Sequence, residues 1–438
     1  MNTKNKKSQI TLFIILGIVL LAIFVLVFYL VNYVSKAKAE EETKTAIDAQ
    51  TKLKPVSDYV KNCLEKASEE GLLMIGKQGG YLYKFQGGTV VNYKGLPGRM
   101  SEGSDEGKLY INYPQGEDYY VPYLIYPPAY NLPMRSSKPP VYPWQFFPYA
   151  SSPNSPGKIF IGNFGKSNLL PLDDDSGPHS LHLQLSSFIE NNIGKCMDFS
   201  IFKEFNIKDI KESGLNASVV FGQDDIAVNL DYPLEVINKN SMEDRAVFND
   251  FYVHIPVRIR KLYNFVDELI ENDVSDMAFD AGGAGNGQNS FKVNVIRSVL
   301  NNDDIIVVED SLSNINGKPY EFRFARLNRI PALHWVEAKP PVFKEGEEVN
   351  LANLSISNLA LNNDKTSILA EGAVFDPDED IINESLFNYR ILGVEDGSLP
   401  RTIAGSILYK CNKEGKIVVR ISVSDGSLED YQDIEVRC

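Results

Sequence analysis

The side chains best able to do chemistry in this 438-residue chain are few and scattered. There are four histidines: His179, His182, His254 and His334. His179 and His182 stand three apart behind Asp173-Asp174-Asp175, and residues at i and i+3 share a helical face. Two imidazoles and a carboxylate there could converge on a metal ion or serve a hydrolase. An acidic helix start that complements the macrodipole accounts for the same residues with no ligand, and is the plainer reading. His254 falls in an alternating run before Pro256 and reads as a packing or rim residue. No Gly-x-Ser-x-Gly elbow, His-Glu-x-x-His helix or Walker loop occurs, so no catalytic residue is assigned. The glycine-rich run from Asp280 to Gly287 follows a helical pattern and precedes a strand pattern. That is the wrong order for a phosphate cradle, and it reads as a connector.

The cysteines carry a clearer signal. Cys63, Cys196, Cys411 and Cys438 are too far apart for a zinc ligand set, and their even number suits disulfide pairing. Cys63 continues the apolar spacing Val56, Val60, Cys63, Ala67. Cys196 ends the series Leu181, Leu185, Phe188, Ile193, Cys196. Two helices docked apolar face to apolar face would bring Cys63 beside Cys196, which predicts a disulfide. The alternative is two buried free thiols. Tyr126, Tyr130, Tyr142 and Trp144 lie in a proline-rich stretch. They could stack on a glycan or a partner's peptide, or cap the core under a long loop.

These residues need elements to position them. A head bearing Lys4, Lys6 and Lys7 runs into an uncharged apolar segment from Ile10 to about Val34. About 20 such residues cross a bilayer as a helix, and a cleavable secretory core is shorter. The basic head places the N-terminus in the cytoplasm and nearly all of the remaining chain outside. The helical pattern continues through Ala37–Lys54. Pro55 is expected to kink or restart it, and Gly79-Gly80 to stop it. From Tyr81 to Lys166 short alternating runs and many prolines predict an extended, polyproline-like segment outside any central sheet. A helix follows Pro178. Strands are expected at 217–221 and 226–230 around a Gly222–Asp225 turn, then at about 245–255, a helix at 259–270, and strands at 291–296, 305–308 and 320–326. Beyond Lys339-Pro340-Pro341, strands recur at 349–354, 367–373, 386–391, 417–423 and 431–436 with no helical pattern, as in a β-sandwich.

The fold expected is therefore α+β in three parts. Residues 1–35 form a cytoplasmic head and transmembrane helix. Residues 36–338 form an ectodomain of helices on an antiparallel sheet, with its Pro/Tyr-rich stretch near 108–150. Residues 339–438 form a C-terminal β-sandwich. The net charge of −14 repels phosphate backbones and disfavours nucleic acid as a partner, so none is expected. Three N-x-Ser sequons, at Asn216, Asn353 and Asn383, lie in the outward part and permit glycosylation.

Two stretches carry resemblances. Ala373-Val374-Phe375-Asp376-Pro377-Asp378-Glu379-Asp380 and the later Val423-Ser424-Asp425-Gly426 resemble cadherin-like and immunoglobulin-like repeats of surface proteins. The resemblance implies a sandwich, and oxygen ligands for calcium from Asp376, Asp378 and Asp380 with Asp425 or Asp430; the plain reading is a solvated acidic turn. Its last hairpin would return the chain end to Cys411, which makes a Cys411–Cys438 disulfide reasonable. Lys6-Lys7-Ser8-Gln9 resembles a class III archaeal prepilin, which implies cleavage between Ser8 and Gln9. Phe13 stands where pilins usually carry the glutamate used in assembly. The whole layout, including Tyr320–Pro331 at the end of the core, is similar to archaeal surface proteins. The expected role is interaction, adhesion or envelope structure, without catalysis. The expected partners are the membrane, other surface proteins or glycans, or further copies of the chain as a minor pilus component. The alternative is a membrane-tethered hydrolase acting on envelope polymers.

Overall fold

In a computed structural model, residues 7–86, 88–90, 110–114, 116–117, 119–127, 165–175, 179–210, 214–275, 279–285, 290–333, 344–346, 348–350, 374–375, 378, 387–394, 401–403, 406–410 and 416–437 are described. The fold is α+β. The chain divides into two compact units. One comprises Met1–Glu65, Asn192–Ala217 and Asn229–Val253, and the other comprises Lys66–Asn191, Ser218–Val228 and His254–Cys438.

The first helix, α1 (Lys7–Lys77), has 71 residues and runs through Pro55 without interruption. One missing amide donor does not break a helix whose neighbouring residues Leu53, Val56 and Val60 are all fully buried. Its end is the one expected. Gly79 and Gly80 take positive φ, the Gly80 amide donates to the Ile75 carbonyl, and the Gly79 amide donates to the Gly76 carbonyl. This is a Schellman cap, in which glycine avoids the Cβ strain of the left-handed region.

In the first unit, α1 and the segment after the second helix, α2 (Leu181–Asn192), are covalently joined. The Cys63 and Cys196 sulfurs are bonded at 2.01 Å, with Cα atoms 5.6 Å apart. Cys196 lies just past the helix end, after a single 3-10 turn. Tyr59, one helical turn before Cys63, donates from its hydroxyl to the Cys196 carbonyl at 2.6 Å and accepts from the Asp198 amide at 2.9 Å. Its ring meets Phe199 and Phe202 edge-on.

The strands β4 (Phe205–Asp209), β5 (Asn216–Phe221), β6 (Ile226–Asn238) and β7 (Ser241–Ile255) form a four-stranded sheet with β6 inside it. The expected meander is present, and two features differ. β6 continues past Pro233, and β4 pairs with its second half over Leu234–Asn238. Pro233 still contributes its carbonyl, which accepts from the Ile210 amide.

The second unit is built on a six-stranded mixed sheet ordered β1-β2-β10-β9-β8, with β3 beside β2. Its strands are β1 (Tyr110–Asn112), β2 (Tyr120–Tyr126), β3 (Lys166–Ser167), β8 (Phe291–Leu300), β9 (Asp303–Ile315) and β10 (Lys318–Arg326). The expectation of an extended segment outside any central sheet is corrected for β2. This strand pairs with β1 on one side and, in parallel, with β10 on the other. Pro122 is tolerated because pairing with β10 starts at Tyr123, past the missing donor. That parallel pairing also makes the sheet mixed rather than antiparallel. Two-residue turns, Asn301-Asn302 and Asn316-Gly317, join β8 to β9 and β9 to β10; all four residues have positive φ, as type I′ hairpins require. Ile111, Tyr123, Ile305 and Ala325 share one core cluster. The third helix, α3 (Ile259–Ser275), buries Ile259, Leu262, Val266, Leu269 and Ile270, as its spacing predicts.

The C-terminal stretch is antiparallel β. The strands β12 (Glu348–Asn350), β15 (Arg401–Ile403) and β16 (Ser406–Lys410) form one sheet, ordered β12-β16-β15. A second is ordered β14-β17-β18, from β14 (Phe387–Val394), β17 (Lys416–Ser424) and β18 (Glu429–Arg437). The pair β11 (Ala332–Leu333) and β13 (Val374–Phe375) sets the chain just past Arg329 beside the chain just before Asp378. The strand expected at 367–373 lies outside the described residues.

Candidate functional site

Among the described residues of the second unit, a dense, largely buried set of charges includes two expected calcium candidates, Asp378 and Asp425, but pairs them with arginine and asparagine side chains. It gathers where β10 ends. Alternation along β10 puts Tyr320, Phe322, Phe324 and Arg326 on one face. The three aromatics are buried, and so is the guanidinium that follows them, at 5% exposure. Arg326 Nη1 donates to Asp273 on the last turn of α3 at 2.8 Å, and Nη2 donates to Asp304 at the start of β9 at 2.6 Å. Its Nε stands 3.5 Å from Asp378 Oδ1, an ion-pair distance longer than a hydrogen bond. Arg329 is equally enclosed. Its Nη2 reaches both Asp273 oxygens at 3.2–3.3 Å, its Nε donates to Asp378 Oδ1 at 3.0 Å, and its backbone amide donates to Asp378 Oδ2 at 2.6 Å.

A second layer holds this arrangement. Asp303 accepts from the Asn328 amide at 2.9 Å and from the Tyr123 hydroxyl at 2.8 Å. Asn328 Nδ2 donates to Asp425 Oδ2, and Asn302 Nδ2 to the Asp425 carbonyl, both at 2.7 Å. Arg297 Nη1 donates to the Asp378 carbonyl at 2.7 Å.

Burial sets the electrostatics. It disfavours charge on Arg326 and Arg329, yet the surrounding carboxylates outweigh it and hold both guanidiniums above their ordinary pKa. Burial also pushes the Asp304 carboxyl up, against the pull of Arg326 and with some help from Asp378. The Tyr123 phenol is raised by burial and by its bond to Asp303. Charges taken this far from water persist only when paired and hydrogen-bonded. Two guanidiniums surrounded by Asp273, Asp304 and Asp378 meet that condition. The chemistry this supports is cross-linking by charge, since the groups face one another instead of an open cleft.

Of the expected site residues, Asp378 and Asp425 lie in this cluster and Cys63 meets Cys196, while the histidines lie elsewhere and do not converge. His182 Nε2 meets Asp175 at 2.9 Å, His179 Nδ1 meets Gln86 at 3.3 Å, and Asp173 pairs with Arg260. His254 pairs with Asp225 at the surface. Among the described residues no group of three His, Cys, Asp or Glu is placed to hold a metal ion. Of the calcium candidates, Asp378 is spent on the arginine pair, and Asp425 Oδ1 caps the Ser427 and Leu428 amides in its turn. Asp376, Asp380 and Asp430's side chain lie outside what is described. Tyr126 is a core residue at 3% exposure, while Tyr130, Tyr142 and Trp144 lie outside the described residues. So do Cys411, Cys438, Asn353, Asn383 and His334; Asn216 opens β5 and is exposed. Ser8 and Gln9 fall in the first turn of α1. In the glycine-rich run, Asp280 accepts from the Gly282 amide, and a Cβ at Gly285 would press on the β8 backbone at Val293, so this is a packed turn.

One signal for the arginine cluster was present in the sequence: an arginine at the next place in an alternating aromatic row. Its partners were not readable, because Asp273, Asp304 and Asp378 come from three separate segments. Comparison with protein families, curated proteins and solved structures returned no match.

Proposed function

We propose that this chain is a single-pass surface protein, anchored by the first part of α1, with its folded units outside the cell. Its role is interaction or envelope structure, without catalysis. The observation that carries the reading is the double character of α1. The side chains of Leu20, Leu21, Phe24, Val25, Leu26, Phe28 and Tyr29 are all 49–71% exposed. At 100° per residue they cover most of the helix circumference, and a helix apolar all round belongs in a core or a membrane. Other side chains of Ile10–Val34 lie outside the described residues, and among those described no helix is long and apolar enough to cross a membrane. The span therefore rests on the uncharged sequence together with these exposed rings and aliphatics. Farther along the same helix, Cys63 is disulfide-bonded. At 1.5 Å per residue it sits roughly 44 Å beyond Val34, and such bonds persist in oxidising compartments.

The two small antiparallel sheets after β11 fit a β-sandwich module, the usual cargo of surface proteins. The basic head and Lys7-Ser8-Gln9 fit a prepilin-type anchor cut after Ser8. Fractionation tests the anchor. The full chain should stay with membranes through an alkaline carbonate wash, and a chain lacking residues 1–36 should be released. Recovery of the full chain in the soluble fraction would overturn the reading.

A further inference from the structure

The arginine pair joins more than neighbouring strands. Asp378 belongs to the C-terminal β stretch, 49 residues beyond Arg329, and is 1% exposed. Its two carboxylate oxygens take the Arg329 amide and the Arg329 and Arg326 guanidiniums, while its carbonyl takes Arg297. The β11–β13 pairing brings the chain to this point. At the turn between β17 and β18, Asp425 supplies a second contact through Asn328 and Asn302. Both contacts end at the same end of the core sheet, at the β8–β9 turn and the exit of β10.

We propose that the arginine pair is a built-in carboxylate receptor, and that seating Asp378 in it latches the C-terminal β module to the core so that the two behave as one body. Among the described residues, the other links include the two-residue β11–β13 pair, the approach of β11 to β17 and β18, the Arg297 bond to the Asp378 carbonyl and an asparagine-bridged turn. An ion pair excluded from water has little latitude in distance or direction, so it fixes orientation as well as proximity. A surface protein would gain a module held at a set angle instead of one swinging on a tether.

The test is hydrogen exchange on the full chain in detergent, comparing Asp378→Asn with the native protein. The substitution keeps the shape and removes the charge. Amides of β14, β17 and β18 should lose protection at least tenfold, while those of β9 and β10 keep theirs. Protection unchanged in both, or reduced alike in both, overturns the proposal. Should Asp378→Asn not fold, Asn302→Gly removes one of the two asparagine bonds of the second contact and keeps the positive φ of the β8–β9 turn. It should loosen β17 and β18 selectively, and an unchanged or uniform pattern counts against the latch in the same way.

Discussion

At the scale of residues, the account rests on charges that are buried because they are paired. Asp273 receives both Arg326 and Arg329 and is 1% exposed. Asp273→Ala leaves two buried guanidiniums short of a partner, and urea denaturation should show a loss of about 3–5 kcal/mol. Asp175→Ala, at a surface pair with His182, should cost less than about 1 kcal/mol. Asp304 gives a pH signature of known sign. Its folded pKa is raised, so between the ordinary carboxylate value and the raised one the folded state binds more protons than the unfolded. Stability attributable to Asp304 therefore falls as pH rises through that window. Denaturation across the acid range should show this slope shrinking in Asp304→Asn, which keeps an oxygen for Arg326. Glu117 has the opposite sign. Burial opposes its charge, but hydrogen bonds from Arg323 and Lys77 and their charges hold its pKa low. Its contribution is present at neutral pH and is lost as pH falls through the lowered value.

At the scale of elements, much of the fold was legible because local pattern and tertiary burial agreed. The apolar spacing that predicted a Cys63–Cys196 disulfide gave the right pair, although Cys196 lies beyond α2 on a 3-10 turn instead of on the helix face. Removing that bond with Cys63→Ser and Cys196→Ser frees a separation of 133 residues. The chain-entropy model puts the loss at roughly 4–5 kcal/mol, checked by denaturation with and without reductant. Prolines misled where pairing forgave them: Pro55 lies within a continuous α1, and Pro122 sits one residue before the parallel ladder begins. The end of α1 makes another contact that no periodicity reveals. The Tyr320 hydroxyl donates to the Leu72 carbonyl at 2.9 Å, and a Cβ at Gly76 would fall on the Glu321 carbonyl oxygen. Gly76→Ala should destabilise by about 1–3 kcal/mol or more, because backbone cannot step aside as a side chain can. Thermal melts of that variant separate the clash from helix propensity, because propensity alone would make alanine the more stable residue in a helix.

At the scale of the whole molecule, the sequence proposes an address and leaves the charged junction unread. An uncharged apolar run is a local property, readable from adjacent residues. The Arg326–Arg329 cluster is made by residues from α3, β9 and the C-terminal stretch, and only the folded chain assembles it. In the proposed arrangement α1 anchors the protein and the folded units lie outside. Intact cells treated with a membrane-impermeant amine reagent, then mapped by peptide mass spectrometry, test it most directly. Lys66, Lys208 and Lys292 are exposed in the fold and should be labelled on intact cells. The head lysines Lys4, Lys6 and Lys7 should label only after permeabilisation, wherever the head is retained. Exposed fold lysines that stay unlabelled until the cells are opened would contradict the account.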